Sequence, residues 1–194
     1  MKTTRTAKYI GMAAVTVIVT ISALGWPSPE PKPSTCPNPT IRVFKREAVL
    51  ELWCNGQLQT KMDATFGASP VGHKEREGDE RTPEGQYRIS SKVENARFHR
   101  FLGISYPNEE DLQRAKRKGI LSPGGGIGIH GTTRKLAPLA RAWLKIGRAT
   151  GLSSITGPTD GCIGVSNEDV ERLYSVVPIG TPIAIFAQRP EKKQ

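Results

Sequence analysis

The chain has 194 residues, enough for one domain at ~100–200 residues per domain, with 37% hydrophobic and 24% charged residues and a net charge of +10. That balance excludes a disordered chain, and a single long uncharged stretch excludes a polytopic membrane protein. Glycine (20) and proline (15) favour a turn-rich, strand-rich domain over a helical bundle.

Lys2, Arg5 and Lys8 precede residues 9–26, which carry no charged side chain. A basic lead followed by an apolar run of this length reads as a signal peptide or an N-terminal membrane anchor. The basic flank places the start of the chain in the cytoplasm and the body outside. Residues 27–39 hold six prolines, incompatible with helix or sheet interior, and read as an extended tether. The expected organisation is therefore 1–26 signal or anchor, 27–39 tether, 40–188 folded domain and 189–194 tail, with the protein exported to the periplasm or envelope. The body beyond residue 35 retains +7, a charge suited to anionic lipid or an acidic wall polymer. Export argues against nucleic acid as a partner.

Within the body, 40–44 and 48–53 read as strands, and Asn55-Gly56 before 57–63 is the strongest short hairpin signal. Residues 66–89 are glycine-, proline- and charge-rich and read mostly as loop, with a strand entered at 85–89. Residues 108–118 read as a helix capped by Asn108 and stopped by Gly119; 126–130 reads as a strand leaving a glycine loop. Leu136, Leu139, Ala140, Trp143, Leu144 and Gly147 lie on one face of a helix over 134–148, with a basic opposite face. Ser166 with Asp169 three residues on caps a further helix, whose inner face is Val170, Leu173, Tyr174 and Val177. A turn at 178–182 leads into a last strand, 183–187. Strands with segregated helices indicate α+β.

Three cysteines in an exported chain leave at least one thiol unpaired. Cys36 and Cys54 offer a disulfide that leaves Cys162 reduced; a small buried Cys54 is the equal alternative. Cys162 stands between Gly161 and Ile163-Gly164, and small neighbours let a substrate backbone approach while N–H groups meet a developing oxyanion. A thiol needs a base near neutral pH, and His130, followed by Gly131 and Thr132 at the end of the glycine-rich strand, is a candidate for it, although a lone histidine is more often structural. Neither a close pair of metal ligands nor a phosphate-loop ending nor a C-x-x-C redox pair is present.

His130-Gly131-Thr132 followed by Thr159-Asp160-Gly161-Cys162-Ile163 resembles the motif pair of the L,D-transpeptidase catalytic-domain (YkuD-type) family. Gly72-His73-Lys74 with the run from Glu77 to Gly85 is similar to that family's upstream loop, and the likeness covers roughly 40–187. The resemblance implies a mostly β domain with a few peripheral helices and no cofactor. Its substrate would be a peptidoglycan stem peptide, cut between the L-centre of diaminopimelate and terminal D-alanine. It implies Cys162 as nucleophile, His130 as base, the Gly131 carbonyl as its orienting group, and N–H groups of Gly161 and Cys162 as oxyanion donors. Arg81, Thr132, Thr159 and Asp160 fall on the substrate side. Gly164 departs from the pattern, since many members have arginine there. An amine acceptor makes a transpeptidase; water makes a carboxypeptidase or endopeptidase, or a hydrolase that releases a wall-attached lipoprotein. A non-catalytic wall- or membrane-binding module is the reading of a different class.

Overall fold

The structure is a computed structural model that describes residues 35–95, 98–131 and 159–191. The apolar segment at 9–26, the predicted helix at 134–148 and Thr132 lie outside the described residues.

Alternating side chains build the first three strands, β1 (Thr40–Phe44), β2 (Val49–Cys54) and β3 (Gln57–Asp63), into an antiparallel ribbon. Asn55 and Gly56 both take positive φ, 49° and 74°, as a tight two-residue hairpin turn requires. The Cys36–Cys54 disulfide ties the chain before β1 to the end of β2. β4 (Gly85–Asn95) begins at the expected glycine but runs beyond 89, because β5 (His99–Ile104) returns antiparallel along it. Helix α1 (Glu109–Arg117) starts in a complete capping box, Asn108 accepting from the Asp111 N–H and Asp111 accepting from the Asn108 N–H. Gly119, at φ 66°, follows its end. Then come β6 (Gly128–His130), the two-residue β7 (Ile163–Gly164), α2 (Asn167–Val176) capped by Ser166, and β8 (Pro182–Phe186).

The eight strands form one sheet in the order β3-β2-β1-β8-β4-β5-β6-β7. β8 runs parallel to β1 and antiparallel to β4, and so joins the two halves. The chain just past β3 returns to the far edge: Thr65 exchanges backbone hydrogen bonds with Gly164 of β7 at 2.8 and 2.9 Å. The sheet thereby curls upon itself.

Strand alternation decides what each face carries. Leu102, Ile129 and Ile163 lie abreast on β5, β6 and β7 and are fully buried, with Val170, Leu173 and Val177 from α2 and its end in the same core. Phe101, Gly103, Gly128, His130 and Gly164 therefore share the opposite face. The expected α+β, mostly β architecture is the one observed.

Candidate active site

β6 and β7 are parallel, with Ile129 opposite Ile163 and His130 opposite Gly164. Continuing that register by one residue sets Cys162 opposite Gly128, on the same face as His130. The two Cα atoms then lie roughly 8 Å apart on the diagonal, from ordinary strand spacing and rise. The sulfur packs against the backbone of the preceding glycine strand. Its S–H is directed at the Gly126 carbonyl 3.6 Å away, and the Gly128 N–H is its hydrogen-bonding neighbour.

His130 is 5% exposed. Its Nδ1 is 2.6 Å from the Gly131 carbonyl, and a carbonyl can only accept, so Nδ1 carries the proton and Nε2 is the basic nitrogen. Burial pushes the Cys162 thiol above its ordinary value. The Gly128 N–H works against that shift, the Asp160 carboxylate adds to it, and the Lys74 ammonium opposes it. A thiol so placed stays protonated near neutrality and needs a base to remove its proton.

The glycines around this pair are fixed by what presses on them. A Cβ at Gly128 would fall 2.5 Å from the Phe101 ring, at Gly131 2.3 Å from Asn167 Oδ1, and at Gly164 2.5 Å from Thr65 Oγ1. At Gly161, φ is +129° and a Cβ would meet the Arg81 carbonyl at 2.4 Å. Gly161 thus provides both the backbone freedom and the close approach.

The upstream loop lies over this floor and is held by two buried lysines. Lys45 Nζ donates to the Gly72 carbonyl (2.6 Å), the Thr82 carbonyl (3.0 Å) and Glu84 (2.9 Å). Lys74, 3% exposed, donates to Asp79 (2.7 Å) and the Arg76 carbonyl (3.2 Å). Burial alone would raise Asp79; Lys74 and the N–H groups of Glu75, Arg76 and Arg81 outweigh it and hold its carboxyl at about 2. Tyr106 donates to the Lys74 and Pro123 carbonyls, so the loop and the glycine strand share one clasp.

Arg81 reaches the centre with its backbone, its carbonyl resting against Gly161, while its guanidinium lies beside Gly72. Thr159 donates to the Cys162 carbonyl at 2.9 Å and secures the turn into the nucleophile. Asp160 is exposed. Lys74, Thr65, Phe98 and Phe101 belong to the surroundings but were not among the predicted site residues. Of these, Lys74 stands next to Gly72-His73 in the upstream loop, the one signal the sequence offered.

Residues 38–185 match the sequence profile of the L,D-transpeptidase catalytic domain (YkuD). A curated relative, YqjB of Bacillus subtilis (strain 168), a candidate L,D-transpeptidase, is 29% identical over 110 residues, covering 55% of this chain and 53% of its own. Two solved structures share the fold. The helical cell shape determining protein Pgp2 from Campylobacter jejuni has a TM-score of 0.55 and 20% identity, over 78% of this chain and 48% of its own. Bd1075 from Bdellovibrio bacteriovorus has 0.52 and 23%, over 78% and 49%. The chain spans about half the length of each relative. A profile match over well more than half the chain, on a curled sheet shared with these structures, establishes that the protein belongs to the L,D-transpeptidase catalytic-domain family.

Proposed function

We propose that this protein is a cysteine-dependent L,D-transpeptidase that acts on peptidoglycan stem peptides through a thioester on Cys162. The observation that supports it best is the His130 tautomer. Nδ1–H donates to the Gly131 carbonyl, leaving Nε2 basic, and continuing the β6–β7 register puts Cys162 on the same sheet face.

His130 removes the thiol proton as sulfur attacks the stem-peptide carbonyl. The S–C bond forms, and N–H groups of Gly161 and Cys162 meet the oxyanion. The C–N bond then breaks, and terminal D-alanine leaves with the proton returned from His130. An amine from a second stem, or from a protein to be joined to the wall, attacks the thioester, and the thiol is regenerated. Because burial raises the thiol's pKa, His130 acts as a general base during attack and not as the partner of a resting thiolate. The reaction takes place outside the cytoplasm, with residues 1–26 directing export or anchoring the domain to the inner membrane.

The test is incubation of the protein with purified tetrapeptide muropeptides. Cross-linked dimer is expected, with Cys162→Ala and His130→Ala reducing product by at least ~100-fold while far-UV circular dichroism is unchanged. Tripeptide alone would reassign the protein as a hydrolase with the same dyad. Product formation by Cys162→Ala would overturn the cysteine mechanism. A carbapenem provides a second readout, with a mass adduct expected on Cys162 and none on Cys36 or Cys54.

A further inference from the structure

The chain bends sharply where it enters β5. His99 has φ +64°, a left-handed conformation that is strained for a residue bearing a Cβ. Across it, the Arg100 N–H closes onto the Phe98 carbonyl at 2.8 Å, the rare positive-φ γ-turn. Such a turn persists only when its surroundings enforce it, and here Glu171 of α2 does so. One Glu171 oxygen is 2.7 Å from His99 Nε2, and both are 3.1 Å from Arg100 Nε. Arg100 is also ion-paired with Glu94 and lies 4.8 Å over the Tyr174 ring.

The bend sends Phe98 back onto the imidazole. Its ring centroid is 4.5 Å from that of His130, at an angle of 44°. Phe101, opposite His130 in the β5–β6 register, lies 6.2 Å away and nearly parallel, at 14°. The two phenyl rings are 5.9 Å apart.

We infer that Phe98 is a positioning residue for the His130 base, aimed by the strained His99 turn that Glu171 pins to α2. This inference rests on the reading of His130 as the base for Cys162. An imidazole with phenyl rings packed against it loses rotational freedom, so Nδ1 stays on the Gly131 carbonyl and Nε2 keeps its direction. Without Phe98 the ring turns more freely and the basic lone pair is less often aligned with the thiol.

The experiment measures the alkylation rate of Cys162 by iodoacetamide at fixed pH on the full chain with its disulfide closed, which leaves one reactive thiol. His130→Ala sets the floor. Phe98→Ala is expected to slow alkylation by about three- to tenfold, the scale of an aromatic pair, and Phe98→Tyr to restore it. Glu171→Ala, which touches neither ring, is expected to slow it in the same direction. In a His130→Ala background, Phe98→Ala is expected to change nothing further, since its effect runs through the imidazole. An unchanged or faster rate in Phe98→Ala overturns the inference, as does an equal loss in both backgrounds. A parental rate in His130→Ala would overturn the base assignment itself, an outcome distinct from failure at Phe98. If Phe98→Ala unfolds, Phe98→Leu and Glu171→Ala carry the comparison.

Discussion

Gly164 stands where a side chain has nowhere to go, because Thr65 Oγ1 already fills the space above it. Gly164→Ala is expected to lower stability by about 1–3 kcal/mol through overpacking, read as a lower urea midpoint. Adding Thr65→Ala removes the obstructing oxygen, and the double variant is expected to recover most of the loss. A larger side chain at this position has no room unless Thr65 also changes. Asp79 makes a prediction of opposite character. Its carboxyl is depressed from 3.8 to about 2, so its stabilising contribution is complete above the ordinary carboxylate range and is lost as pH falls through about 2. Asp79→Asn is expected to be less stable at neutral pH and to lose part of that acid dependence, as thermal melts between pH 5 and 2 will show. In the sequence Arg97 and Arg100 stand beside His99, and the fold brings Glu171 to 2.7 Å from it. Charge read along the chain misses a carboxylate delivered by another element.

Elements with their own punctuation were legible before folding. Asn108 and Gly119 bound α1, Ser166 starts α2, and Asn55-Gly56 turns β2 into β3, because caps and turns depend on residues within four positions. Asn108→Ala is expected to cost about 1 kcal/mol. Asp111→Ala is expected to cost more, since Asp111 also accepts from Tyr87 (3.1 Å) and meets His73 Nε2 at 3.2 Å. Chemical denaturation of both variants checks that order. β5 and β7 were not legible. Residues 99–104 show no regular alternation, and β7 is two residues long; each is a strand because a partner lies beside it. The same holds for the site. Cys162 and His130 announce themselves through their glycine borders, whereas Phe98, Thr65 and the Lys74–Asp79 pair acquire meaning only through neighbours supplied by the sheet.

On the scale of the whole molecule, the closing contacts join distant parts of the chain. The disulfide spans 18 residues, a loop whose closure contributes about 3 kcal/mol in the chain-entropy account. Cys36→Ala/Cys54→Ala is expected to melt at a lower temperature while Cys162 keeps its alkylation rate. The larger dependence is on β8. Among the described residues it is the strand that pairs with both β1 and β4, and so carries the sheet order from the β1–β3 ribbon to the β4–β7 group. A nascent chain must therefore extend as far as Phe186 before the ribbon and the β4–β7 group can share a strand, so the joining of the two halves waits on the last strand in chain order.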